Sequence, residues 1–209
     1  VPLLYKQNSE NERFQLNYVL DRGTDNDKKL KLAVDYFKFL GTEDISSSQK
    51  LEEFYKLGCD LSIVTNVKST KVSLTGLSSN FTESVKLLEK MLSNVVADED
   101  ALNSLKSTYE KQKRDAKLNK QTILFSAMRS YARYGKNSSF TNQLSKQELD
   151  SVKSSDLLDI IHNLTKNDHR ILYYGPDNIS AVKKLIVDLH NTTDLAPVEK
   201  INLNIEEEM

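Results

Sequence analysis

Cysteine, glycine and histidine are all scarce in this sequence, and each scarcity excludes a class of chemistry. A single cysteine, Cys59, rules out an internal disulfide. Its apolar neighbours Leu57, Leu61 and Ile63 are the surroundings of a buried structural thiol rather than a reactive one. The 6 glycines among 209 residues stand apart at turns instead of clustering as phosphate cradles do, which argues against nucleotide chemistry. No stretch approaches the roughly 20 apolar residues that a membrane-spanning helix requires, and mean hydropathy is -0.52, so no membrane insertion is expected. Charge of one sign is not in excess either. With 29 basic and 30 acidic side chains the formal net charge is -1, too weak a field to recruit nucleic acid or an anionic membrane.

Nucleophile and metal signatures are missing as well. No Gly-x-Ser-x-Gly elbow marks a serine nucleophile, and no cysteine-protease signature surrounds Cys59. Of the 3 histidines, His162, His169 and His190, none has another four residues away, the helical spacing that lets two imidazoles share a zinc ion. Each is expected to be a solvated or ordinarily hydrogen-bonded ring near a helix end or strand start. The basic stretch Lys111, Lys113, Arg114, Lys117 and Lys120 is accompanied by Glu110 and Asp115 and reads as a solvated helix face.

What is present is a succession of strand and helix signals. Val1 to Tyr5 reads as a strand, and Arg13 to Leu20 alternates apolar and polar before the turn signal Asp21-Arg22-Gly23. From Asp27 to Leu40, Leu30, Ala33, Val34, Phe37 and Leu40 recur at helical spacing, with Gly41 expected as the left-handed residue that ends the helix. Ser46-Ser47-Ser48 predicts the start of a second helix ending at Gly58. Residues 59–65 and 70–77 predict a β-hairpin. Asn80 is expected to cap a helix carrying Val85, Leu88, Met91, Leu92 and Val95, with further helices over 99–117 and 119–134. A polar loop surrounds Lys136-Asn137-Ser138-Ser139, Ser154-Ser155-Asp156 caps a short helix, 170–174 form a strand ended by Gly175-Pro176, and 178–190 form a last helix. This order lacks the regular alternation of a doubly wound parallel sheet. The expected class is α+β: a largely antiparallel sheet packed against a layer of helices, as a two-layer metallohydrolase-like sandwich. Residues 1–193 are expected to form one domain and 194–209, with Ala196-Pro197 and Glu206-Glu207-Glu208, a C-terminal linker. The start at Val1, with neither Met nor a signal pattern, is expected of a piece of a longer chain.

The stretch Leu32-Ala33-Val34-Asp35-Tyr36-Phe37-Lys38-Phe39-Leu40-Gly41-Thr42 resembles the helix of pitrilysin/insulinase zinc proteases that carries His-x-x-Glu-His and runs into Phe-Leu-Gly-Thr. The helix from Gln49 to Gly58, the strand from Lys71 to Leu77, the helix start Asn80-Phe81 and the strand end Tyr173-Tyr174-Gly175-Pro176 follow in that family's order. The resemblance implies a fold like that of the mitochondrial processing peptidase. Placed residue by residue, the first zinc histidine falls on Leu32, the catalytic glutamate on Asp35 and the second zinc histidine on Tyr36. The family's third ligand, a glutamate, falls near Glu110, 110 − 36 = 74 positions after Tyr36. Both imidazoles are replaced, and a lone carboxylate does not hold zinc against water. The resemblance therefore implies no catalytic, cofactor-binding or metal residue in this chain. Leu32 and Tyr36 are expected to fill the metal's space with apolar bulk. Asp35 is expected to bond Tyr36 or a nearby backbone group, and Glu110 to lie on a helix surface.

The same resemblance implies a partner. Family members close an active and an inactive half like a clamshell on an unfolded peptide, and some inactive halves offer an Arg and a Tyr to it. Those two positions fall here on Phe54 and Leu61, which carry neither group. The expected function is a non-catalytic domain of a zinc metalloprotease, forming a wall of the peptide chamber and a docking face for the catalytic half. Zinc is expected in that half, whether in the same or a paired chain, and the location is expected to be periplasmic or otherwise exported. The alternative is an assembly module with a peptidase-like fold and no proteolytic context.

Overall fold

In the computed structural model, which describes residues 1–135, 138, 140–193 and 195–199, five strands form one sheet. They are β1 (Leu3–Gln7), β2 (Arg13–Leu20), β3 (Asp60–Thr65), β4 (Thr70–Leu77) and β5 (His169–Gly175). Their order is β1-β5-β2-β4-β3. The pairs β2–β4, β2–β5 and β3–β4 are antiparallel, and the edge strand β1 runs parallel to β5. The sheet is therefore mixed, with the antiparallel majority expected from the order of elements.

Period-two patterning sets which face is buried. Phe14, Leu16, Tyr18 and Leu20 of β2 point inward with Val72 and Leu74 of β4 and Ile171 and Tyr173 of β5. The opposite face shows Gln15, Ser73, Thr75 and the exposed Tyr174. Eight α-helices among the described residues accompany the sheet, and those packed on it cover the inner face. The eight are α1 (Leu30–Phe37), α2 (Ser47–Lys56), α3 (Phe81–Asn94), α4 (Glu99–Leu118), α5 (Met128–Tyr134), α6 (Lys146–Ser151), α7 (Ser154–His162) and α8 (Ile179–Leu189). α3 lies on β4 and meets α7 and α8, while α1 rests against α7 and β3. Val85, Leu88, Met91 and Leu92 of α3 are almost wholly buried, each contributing about 1.5–3 kcal/mol relative to exposure.

Several boundaries differ from the sequence reading for local reasons. α1 begins at Leu30 because Asp27 Oδ1 accepts the Lys29 N–H at 2.8 Å and holds the preceding residues as a turn. Gly41 is not left-handed. It is glycine because a Cβ there would lie 2.2 Å from the Ile45 carbonyl oxygen. Gly58, with φ +60, does end α2 in the left-handed conformation. α2 starts with a full capping box between Ser46 and Gln49. Asn80 does not cap α3 with its side chain, which instead donates to the Leu57 carbonyl at 2.9 Å. Ser154 is likewise not a cap, since its hydroxyl bonds Glu99. The helix expected over 119–134 is a π-helix (Thr122–Ala127) running into α5. α6 was not foreseen, although Ser145 and Glu148 form a capping box at its start.

At the C-terminal end, Ala196 bridges in parallel to Asn167, and Asn26 donates to the Glu199 carbonyl at 2.8 Å. Residues 195–199 thus lie against the domain. The rest of the expected linker, at 194 and 200–209 and including Glu206-Glu207-Glu208, lies outside the described residues, as do Lys136, Asn137 and Ser139 of the polar loop. No described helix is long and apolar enough to cross a membrane.

Candidate functional site

The face of α1 that would carry metal ligands in a peptidase is closed by packing and hydrogen bonds. Leu32 and Tyr36, four residues apart and so on one face, are both 0% exposed. The Tyr36 hydroxyl donates to the Asp98 carbonyl at 2.9 Å and accepts the Asp98 N–H at 2.8 Å. Asp98 is also the N-cap of α4, its side chain accepting the Ala101 N–H at 2.9 Å. Tyr36 thereby clips α1 to the start of α4.

Asp35 does not bond Tyr36 or the backbone as expected. Its carboxylate takes Lys31 at 2.8 Å, Lys38 at 2.7 Å and the Tyr109 hydroxyl at 2.5 Å. One turn of helix places Lys31 and Lys38 beside Asp35, and α4 delivers Tyr109. Burial pushes the Asp35 pKa up, but hydrogen bonds from Lys31, Lys38 and Tyr109 outweigh it and hold the group at about 2. The Tyr109 phenol is pushed well above its ordinary value, by burial first and then by the adjacent carboxylate. Glu110 is turned away from α1 into an ion pair with Lys146 at 2.6 Å. It is therefore Tyr109, one residue before the expected position, through which α4 reaches the helix.

These residues do not fit a zinc ion. Leu32 has no donor atom, the Tyr36 oxygen is engaged on both sides by Asp98, and the Asp35 oxygens are held by two ammonium groups and a phenol. Among the described residues, no three His, Cys, Asp or Glu side chains are grouped so as to hold a metal. Phe54 is buried in the core and Leu61 is half-buried, so neither presents a polar group to a ligand. Cys59 is buried, its thiol donating to the Phe54 carbonyl at 3.5 Å and its pKa raised by burial.

Two features escaped the sequence reading. Lys50 of α2 is buried, and its ammonium donates to the carbonyls of Phe37 at 2.7 Å, Leu40 at 2.6 Å and Lys38 at 3.3 Å. It supplies the C-terminal cap of α1 that Gly41 was expected to give, and burial pushes its pKa down to about 8. The second feature is a buried chain of polar groups under the sheet. The Asn167 carbonyl lies 2.7 Å from His169 Nδ1, His169 Nε2 lies 2.9 Å from His190 Nε2, and His190 Nδ1 lies 2.9 Å from Glu89 Oε1. The buried Tyr18 hydroxyl donates to the same Glu89 oxygen at 2.7 Å. A carbonyl only accepts, so His169 carries a proton on Nδ1; the Glu89 carboxylate likewise only accepts, so His190 carries one on Nδ1, and a hydrogen bond between the two Nε2 atoms takes one further proton shared by the pair. Burial lowers the His169 pKa and raises that of Tyr18. His162 stands apart, with Nε2 3.0 Å from the Val95 carbonyl. Nothing in the sequence spacing of His169 and His190 marks them as neighbours, because only the return of α8 onto the start of β5 joins them.

Solved structures share this fold. A peptidase M16 inactive domain from Pseudomonas fluorescens is 16% identical with a TM-score of 0.80, over 96% of this chain and 50% of that one. The ferredoxin protease FusC in complex with Arabidopsis ferredoxin is 14% identical with a TM-score of 0.81, over 97% and 23%. The periplasmic protease PqqL from Escherichia coli is 15% identical with a TM-score of 0.72, over 94% and 22%. The chain thus spans half or less of each of these structures. No family model and no curated protein matches the sequence.

Proposed function

Taking the fold of an M16 inactive domain as premise, we propose that this chain is a non-catalytic domain of a zinc metalloprotease. In this reading it forms a wall of a peptide chamber and a docking face for a catalytic half, and that half holds the zinc. The observation that carries the reading is the closed face of α1: a peptidase fold in which Leu32 and Tyr36 are wholly buried and Tyr36 is tied to Asp98. The solved relatives support a larger assembly, since the Pseudomonas fluorescens chain is about twice the length matched here. FusC, which holds ferredoxin, supports a protein or peptide as the thing enclosed. Export from the cytoplasm belongs to the same proposal and is supported by the periplasmic PqqL.

Reconstitution tests it. The chain is mixed with a catalytic half encoded in the same gene or a neighbouring one, and hydrolysis of a quenched fluorescent peptide is followed. The expected result is no hydrolysis by this chain alone, and activity of the other half that rises on adding it. Hydrolysis by the chain alone would refute the proposal. Activity of the catalytic half that is indifferent to the chain would favour an assembly role instead.

A further inference from the structure

The segment from the end of α4 through α5 carries six exposed large hydrophobic side chains, Leu118, Ile123, Leu124, Phe125, Met128 and Tyr131. Leu124, Met128 and Tyr131, at helical spacing on one stripe, are 54%, 57% and 54% exposed. Phe125 and Leu118 on the same segment are also exposed. A helix face of this kind normally lies against something. Beside it, between α5 and the loop that follows, is a cavity of about 440 Å³ lined by Met128, Tyr131, Ala132 and Phe140 among others. One hydrogen bond ties its loop wall to the helix, the Ser130 and Ser138 hydroxyls lying 3.0 Å apart, and within the loop Ser138 Oγ accepts the Phe140 N–H at 3.2 Å.

Charge narrows what could occupy this surface. No aspartate or glutamate lies between Asp115 and Glu148, whereas Lys117, Lys120, Arg129, Arg133, Lys136 and Lys146 do. Arg129 and Arg133 are exposed and one helical turn apart. Arg133 rests over the Tyr134 ring at 5.5 Å. Among the described residues, none of Lys117, Lys120, Arg129 and Arg133 has an acidic partner, in contrast to Lys146, which pairs with Glu110 and Asp150. In a chain of net charge -1, basic groups without an acidic partner among the described residues thus accompany this exposed apolar stripe. The helix is π-wound over Thr122–Ala127 where this surface begins, a distortion that recurs at functional positions in helices.

We propose that this surface is a docking site for an acidic amphipathic polypeptide segment. One apolar side chain of that segment enters the cavity between Met128, Tyr131 and Phe140, and its carboxylates lie along Arg129 and Arg133. The cavity favours a polypeptide over an anionic bilayer, because a pocket between helix and loop accepts one inserted side chain whereas a bilayer presents a continuous surface. The inference stands on this surface alone and survives if the domain proves to have no proteolytic context.

The test is fluorescence anisotropy of the full chain with a labelled peptide of glutamate, leucine and phenylalanine at helical spacing. A lysine-for-glutamate version of the peptide and phosphatidylserine vesicles serve as the comparison arms. The expected result is saturable binding of the acidic peptide that weakens with added salt and falls roughly tenfold in the double variant Arg129→Glu/Arg133→Glu. A comparable loss is expected in Met128→Ser, with thermal unfolding unchanged because all three side chains are exposed. The proposal is overturned if the wild-type chain does not bind the acidic peptide, or binds both peptides equally. It is also overturned if the variants bind as well as wild type, or if the chain sediments with vesicles while ignoring the peptide.

Discussion

Asp35 is a carboxylate whose oxygens are already engaged. A carboxylate that activates water needs a free lone pair, and this one is held by Lys31, Lys38 and Tyr109. Removing the phenol in Tyr109→Phe should cost about 1–2 kcal/mol, because a hydrogen bond to a charged acceptor is lost while both lysines remain. Urea unfolding measures it. Because the Asp35 pKa is lowered from 3.8 to about 2, its contribution is complete above 3.8 and disappears as pH falls toward 2. His169 acts in a higher range. Its folded pKa lies below the ordinary 6.5, so the unfolded chain binds the proton more readily, and stability is full above 6.5 and declines as pH drops below it. With one proton already bridging the two Nε2 atoms, a further proton on the pair would set two N–H donors against each other at the His169–His190 contact, beside Glu89 and Tyr18. Urea midpoints should fall between pH 7.5 and 5.5 in the wild-type chain, and His169→Phe should flatten that slope. An unchanged wild-type midpoint would contradict this reading of the buried histidines.

Among elements, those whose determinants lie within one turn were legible in the sequence and those capped from a distance were not. The α2 start was readable because Ser46 and Gln49 are three residues apart. The hairpin was readable because Asn66, Lys68 and Ser69 interrupt two β-prone runs. The end of α1 was misread, since its carbonyls are satisfied by Lys50, 10 to 13 residues further along, and no local pattern distinguishes that lysine from a surface one. α6 was overlooked although Ser145 and Glu148 carry the same spacing as the α2 box, because its 6 residues hold one buried apolar side chain and show no periodicity. Lys50→Met should lower stability by about 2 kcal/mol, as buried carbonyls lose their donor. The fall in melting temperature should exceed that of Lys56→Met, whose ammonium only joins exposed ion pairs with Glu52 and Glu53.

For the molecule as a whole, the α+β class and the antiparallel majority followed from strand and helix order, but the position of β1 did not. Pairing Leu3–Gln7 in parallel with β5 joins the two ends of the sequence, a contact between distant segments that no local signal encodes. That α1 offers no pair of imidazoles was legible in the sequence, yet the contacts of its face, Tyr36 with Asp98 and Asp35 with Tyr109, required the docking of α4. α1 is thus a packed helix instead of a metal-gripping one. Equilibrium dialysis of the purified chain against micromolar zinc, followed by metal analysis, tests this most directly. A zinc content far below one ion per chain, the same in wild type and in Tyr36→Phe, is the expected result. One tightly held ion per chain that is lost in Asp35→Asn or Glu110→Gln would contradict it.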